Sequence, residues 1–171
     1  MSEIWNEQPA QPGEKVVTRE EAAAFAAEQR RQGRVVVFAN GCFDILHGGH
    51  VSYLEGARSE GDVLIVGVNS DASERRLKGE KRPIVTEAER AELVAGMASV
   101  DRVFVFPEDT AEESLRAIRP DVHAKGTDYT AETVPERQAA EELGIRVAIT
   151  GAPKQNASKQ IIQSIRDRSG D

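Results

Sequence analysis

The chain has 171 residues, with 22 basic and 29 acidic side chains and a formal net charge of −7. That length favours one domain with a substantial core, and 39% hydrophobic with 30% charged residues describes an ordinary globule, neither disordered nor fibrous. The acidic balance argues against a nucleic-acid scaffold, which needs a basic face, but leaves room for a local pocket that takes one nucleotide.

Residues 1 to about 15 are polar, contain Pro9, Pro12 and Gly13, and read as a flexible N-terminal arm ahead of a single domain over 16–171. Trp5 is the exception, an aromatic that can dock on the body or on a partner. Thr18 and Glu21 form a capping-box pattern ahead of an alanine-rich helix that stops near Gly33. The chain then alternates. Arg34–Ala39 is a β-branched run expected of a strand buried on both faces, and His47–Ser59 has helical spacing. Asp62–Val68 is a second buried strand, and Thr86–Ala98 a helix with a Thr86/Glu89 capping box. Arg102–Phe106 is a third strand, Thr110–Ile118 a helix ended by Pro120, and Asp121–Lys125 a fourth strand. Val134–Leu143 is helical up to Gly144, Ile145–Thr150 is a fifth strand, and Ser158–Arg168 closes as a helix.

Strict alternation predicts an α/β fold, a Rossmann-like doubly wound parallel five-stranded sheet with helices on both faces. Ligands of such sheets bind at the carboxyl ends of the strands, so chemistry is expected just after Ala39, Val68, Phe106, Lys125 and Thr150. The single Cys42 rules out an internal disulfide framework and a cysteine-only zinc site. No apolar run approaches the roughly 20 residues that span a bilayer, and the first residues lack a basic start and an apolar stretch. The expected location is cytoplasmic, with no membrane partner.

The segment Asn40–His50 (NGCFDILHGGH) follows the first strand and opens the next helix. Gly41 allows close backbone approach, Gly48 and Gly49 leave room at the helix start, and the helix N-terminus presents unpaired N–H groups to an anion. His47 and His50 stand one turn apart and can face the same anion. A zinc site would need a third and a fourth ligand, and a bare structural turn explains the glycines but not the histidines. Imidazoles that bond a phosphoryl oxygen and steady charge in a transition state suit the place better. Five cations, Arg75, Arg76, Lys78, Lys81 and Arg82, crowd eight residues of this acidic chain just past the second strand.

GCFDILHGGH resembles the HxGH signature of the cytidylyltransferase-like nucleotidyltransferases. Further blocks are similar from about Val17 to Arg166: VGVNSDASERRLKGEKRPI, TEAERAELVAGMASVD and PDVHAKGTDY. Within that family they most resemble the adenylyltransferases acting on D-glycero-β-D-manno-heptose 1-phosphate. The resemblance implies that His47 and His50 contact the triphosphate and stabilise the transferring phosphoryl group, with Lys78 as a third catalytic residue that neutralises phosphates. It implies a nucleotide pocket made of Asn40, Gly41, Phe43, Gly49, Arg90, Lys125, Gly126, Asp128 and Ser158, with Asn69 toward the acceptor substrate and Asp44 fixing the loop and contacting that substrate. Arg90 would order the phosphate end, or else form a surface ion pair with Glu87. The implied partners are ATP with Mg2+, a sugar phosphate, and a second copy of the chain in a homodimer. Two departures stand out: Thr127 replaces a common glycine, and Ala157 replaces one of two hydroxyls at the last helix. His123 falls where the family has an aliphatic residue and reads as a satisfied core group.

The implied reaction is direct transfer, a sugar phosphate oxygen attacking the α-phosphorus of ATP in line while pyrophosphate leaves. Phosphates need little proton transfer at neutral pH, so positioning and charge neutralisation suffice and no protein nucleophile is required. Cys42 adjoins the site without a base beside it and reads as pocket lining. The rivals are a glycerol-3-phosphate cytidylyltransferase-like enzyme that uses CTP and a non-catalytic nucleotide-binding module.

Overall fold

The computed structural model describes residues 10–153 and 158–169. Its five apolar runs become strands β1 (Val36–Gly41), β2 (Val63–Asn69), β3 (Arg102–Phe106), β4 (Val122–Gly126) and β5 (Arg146–Thr150). All pairs are parallel, in the order β3-β2-β1-β4-β5, as expected for a doubly wound sheet. In β1, Val36 pairs with Val63 of β2, and on the other side Ala39 pairs with Ala124 of β4.

Helices cover both faces. On one, α3 (Gly48–Arg58) and α5 (Glu87–Ala95) press Leu54, Ala57, Ala91 and Val94 onto Val37, Ala39, Leu64 and Val66. On the other, α2 (Arg19–Arg31), α6 (Glu112–Ile118) and α7 (Arg137–Leu143) bury Ala22, Ala26, Leu115, Ile118 and Ala140 against Val36, Phe38, Ile65 and Phe104. The small residues of α2 let it lie close to the sheet. Its capping box forms as expected, with Thr18 Oγ1 accepting from Glu21 N–H and Glu21 accepting from Thr18 N–H at 2.8 Å.

Three features differ from the sequence reading. The first strand is shifted two residues along the chain, to Val36–Gly41, where the Asp62 carboxylate takes the N–H of Val35 just before it and the Asp121 carboxylate that of Val36 at its start. The expected loose arm is ordered over its last residues. There α1 (Pro12–Lys15) is a capped turn, and Lys15 Nζ donates to Val100 O at 2.9 Å. Trp5 lies outside the described residues. Finally, α4 (Asp71–Lys78) follows β2 directly, where no helix was expected. It carries five charges and one large apolar residue in eight positions, so it shows no hydrophobic period, and Ser70 caps it by accepting from Ser73 N–H. The last helix, α8 (Ser158–Ser169), buries no residue completely. Among the described residues no helix is long and apolar enough to cross a membrane.

Candidate active site

The strand order reverses between β1 and β4, which leaves a crevice at their carboxyl ends. A cavity of about 500 Å³ opens there. Its wall includes Asn40, Gly41 and Phe43 after β1, Gly49 and His50 from α3, Asn69 and Lys78 around α4, and Lys125, Gly126 and Asp128 after β4. Ten of the fourteen expected site residues therefore meet at one place; His47, Asp44, Arg90 and Ser158 are not in the wall.

The HxGH turn explains the difference between its histidines. His47 is the N-cap of α3, its Nδ1 accepting from Gly49 N–H at 3.1 Å. His50 Nδ1 accepts from His47 N–H at 3.3 Å, and the two rings lie 3.9 Å apart. With both Nδ1 atoms acting as acceptors, each neutral ring carries its hydrogen on Nε2. His50 thus presents a ring to the cavity, whereas His47 holds the helix mouth that supports it. Phe43 and Ile45 have φ of 55° and 53°, left-handed conformations that bend the loop back on itself. The Phe43 ring packs 5.4 Å from His50 and 6.4 Å from Tyr53.

That strained loop is braced from behind by buried charge. Asp44 is buried and accepts from Arg82 Nε at 2.7 Å and from the N–H groups of Ile84 and Val85, both at 2.9 Å. Burial alone would raise its carboxyl, but the two N–H groups and Arg82 outweigh it and hold the group below its ordinary value. Of the two roles expected of Asp44, the contacts match the loop-fixing one, since both its oxygens are engaged inside the protein. Arg90 is corrected likewise. Its guanidinium is fully buried, donates to Cys42 O, Val85 O and Asp71 Oδ1, and faces Glu74 Oε2 at 3.5 Å. It orders the HxGH loop through Cys42 and does not pair with Glu87, which accepts from Asp71 N–H at 2.7 Å. Ser158 Oγ donates to Asp44 O and so ties α8 to the same loop. The Asn156–Ala157 part of the last block lies outside the described residues.

The basic run after β2 is also mostly engaged. Arg76 binds Asp109 and Pro107 O, and Arg82 bridges Asp44 and Glu74. Lys78 meets Glu74 at 3.7 Å but reaches the cavity wall half-exposed. Cys42 lies beside it; burial pushes the thiol up against the lowering effect of Lys78, which suits pocket lining and not a thiolate nucleophile.

Under the cavity, Lys125 Nζ lies 3.3 Å from Glu136 Oε2, 3.4 Å from Asn40 Oδ1 and 4.7 Å from the centre of the Tyr129 ring. Burial would raise Glu136, but Lys125 and the Ala111 N–H outweigh it and keep the carboxylate ionised. Tyr53 Oη donates to Ala124 O at 2.8 Å and accepts from Asn40 N–H at 3.3 Å, joining α3 to β1 and β4. His123 is buried as expected of a core group, but only its Nε2 finds a partner, Asn40 Oδ1 at 3.0 Å. Asn69 donates to Ser73 Oγ and Glu108 O while lining the wall. Thr127, the departure from glycine, is accommodated: its Oγ1 donates to Ala152 O. A Cβ on Gly126 would meet no protein atom within 4 Å, so any demand for glycine there comes from a ligand. Tyr53, Glu136, Thr150 and Gly151 also line the cavity and carry no sequence signal, being brought in by packing from separate segments. Among the described residues no group of three or more His, Cys, Asp or Glu is placed to hold a metal ion.

A model of the cytidylyltransferase-like family matches residues 38–165. The chain belongs to the cytidylyltransferase-like family. It is 47% identical over 154 residues to the bifunctional protein HldE of Syntrophotalea carbinolica, and 45% identical over 157 residues to that of Geobacter sulfurreducens. These alignments cover 90% and 92% of the chain but 31% and 32% of the relatives, so the chain spans about a third of their length. A crystal structure of the lipopolysaccharide core biosynthesis protein from Thermoplasma volcanium superposes with a TM-score of 0.61 at 33% identity, covering 72% of the chain and all of that protein. The pantoate-beta-alanine ligase of Francisella tularensis shares the fold at a TM-score of 0.57 and 14% identity, over 84% of the chain and 68% of the ligase. The family match spans both the HxGH turn and most of the cavity wall.

Proposed function

We propose that this chain transfers the adenylyl group of ATP to the phosphate of D-glycero-β-D-manno-heptose 1-phosphate and releases pyrophosphate. The observation that carries the reading is the convergence on one cavity of His50, Lys78 and the Lys125–Asp128 turn, from three separate segments. An acceptor phosphate oxygen forms the new bond to the α-phosphorus, and the α–β bridging bond breaks. His50 and Lys78 donate to the oxygens on which charge accumulates, and Phe43 and Gly49 shape the nucleotide side of the pocket. His47 acts one step removed, by holding the turn. The heptose acceptor rests on the sequence blocks shared with the adenylyltransferases of that sugar and on the likeness to HldE proteins and to a lipopolysaccharide core biosynthesis protein. Magnesium enters with ATP as part of the substrate and balances triphosphate charge. A cytoplasmic, homodimeric enzyme belongs to the same reading.

The test is pyrophosphate release with ATP and CTP against a panel of sugar and polyol phosphates. Turnover is expected with ATP and the heptose 1-phosphate. Preference for CTP with glycerol 3-phosphate would move the chain to the cytidylyl-transferring branch, and nucleotide binding without turnover on any acceptor would leave a binding module.

A further inference from the structure

The floor of the cavity is polar where a central parallel strand calls for apolar side chains. His123, the second residue of β4, is fully buried with its ring 5.7 Å from that of Phe38. Its Nε2 lies 3.0 Å from Asn40 Oδ1, and Lys125 Nζ lies 3.4 Å from the same oxygen. An ammonium group only donates, so the Asn40 atom it faces is the carbonyl oxygen and not the amide nitrogen. The His123 nitrogen on that oxygen must then carry the ring hydrogen, which leaves Nδ1 as a bare acceptor. Two further observations agree. His123 Nδ1 has no partner, and burial, helped by the Lys125 cation, pushes the imidazole down to about 3, so the ring is neutral at working pH.

Two donors on Oδ1 leave the Asn40 amide one orientation, with Nδ2 turned off the floor. Asn40 lines the cavity, and no described residue accepts from Nδ2. A donor pinned from beneath and left open above is preorganised for a ligand oxygen. His50 and Lys78 stand in the same wall, so the oxygen that all three suit is anionic.

We propose that Asn40 Nδ2 donates to a phosphate oxygen of a reactant, and that His123 is a positioning residue that holds the amide turned toward it. The identity of the reactants rests on the transferase reading above; the oriented donor does not.

The test compares Asn40→Asp, His123→Leu, His123→Gln and the double variant Asn40→Asp/His123→Leu with the wild type. Asn40→Asp keeps the oxygen that His123 and Lys125 require and exchanges the donating NH2 for a second oxygen. Pyrophosphate release is measured with ATP and heptose 1-phosphate varied separately. Equilibrium binding is measured for each reactant alone, and thermal unfolding is followed in parallel. Asn40→Asp should lower kcat/KM by about 100-fold and His123→Leu by about 10-fold. The reactant whose binding weakens is the one whose phosphate is held; a fall in kcat with both affinities intact assigns the contact to the transition state. His123→Gln, which can donate from its own amide, should recover most of the loss. The double variant should be no worse than Asn40→Asp, because His123 acts through Asn40. Additive losses, or losses in step with a lowered melting temperature, would reduce His123 to a packing role. Unchanged kinetics and binding in Asn40→Asp would overturn the inference while the transferase reading stood. A wild type that binds ATP without turnover, with binding weakened by Asn40→Asp, would sink the transferase reading and keep the donor.

Discussion

Asp44 shows how a site residue can be indispensable without touching substrate. Three donors converge on its buried carboxylate, and its backbone oxygen takes the Ser158 hydroxyl, so one residue joins the HxGH turn to the 82–85 loop and to α8. Asp44→Asn keeps the shape but removes the charge facing Arg82, which retains only Glu74. Breaking a buried pair on one side costs about 3–5 kcal/mol, and the surviving Glu74 contact brings the expected loss to about 2–3 kcal/mol at pH 7. The pH dependence has a definite sign. The folded carboxyl lies below the ordinary value of 3.8, so its contribution is complete above that value and disappears as pH falls through the lowered one. Urea unfolding of wild type and Asp44→Asn should therefore differ most at neutral pH, and the difference should narrow as the pH is taken well below 3.8. A difference that stays constant over that span would mean that charge is not what Asp44 contributes.

The elements were legible in the sequence to the extent that they carry a hydrophobic period. All five strands show it, and the first is displaced to a start where a loop side chain, Asp62, takes the N–H just before it. The helix α4 carries none and became visible only through its Ser70 cap and its ion pairs. The site divides the same way. The HxGH turn is contiguous and readable, whereas the pairing of Arg82 with Asp44, or of Lys125 with Glu136, depends on segments that only the fold brings together. The contact of α3 with β5 is another such case. A Cβ on Gly56 of α3 would lie 2.9 Å from Gly151 N and 3.1 Å from Thr150 Cβ, and Gly151 itself has φ of +94° against Tyr53. Two effects oppose each other in Gly56→Ala. Helix propensity gains about 1 kcal/mol, and overpacking against backbone costs about 1–3 kcal/mol. Packing should win, since the nearest neighbour, Gly151 N, is main chain and cannot rotate away. Gly56→Ala is expected to lower the urea midpoint and, by shifting Gly151 in the cavity wall, to raise a KM. Gly48→Ala, whose Cβ would meet nothing within 4 Å, should leave stability within about 0.5 kcal/mol. Equal effects of the two would remove the close approach as the cause.

At the scale of the whole molecule the question is how a chain of net charge −7 receives an anionic nucleotide. The basic run after β2 resembles a funnel in the sequence, but Arg76 and Arg82 are neutralised by Asp109, Asp44 and Glu74. With Asp109 already paired to Arg76, Lys78 and Lys125 in the cavity wall are set against Asp128 and Glu136, so the wall has no positive surplus. Attraction must then come from short-range donors after arrival, while the long-range field repels. Screening acts on the long-range part first: the Debye length falls from about 30 Å at 0.01 M salt to about 8 Å at 0.15 M. The association rate of a fluorescent ATP analogue, followed by stopped flow, should accordingly rise several-fold over that range. Dissociation should quicken as well, since Lys78 is half-exposed and its contact is weakened by the same ions. An association rate that falls with salt would show a steering field at the cavity mouth, one that the paired arginines and the balanced wall give no means of producing.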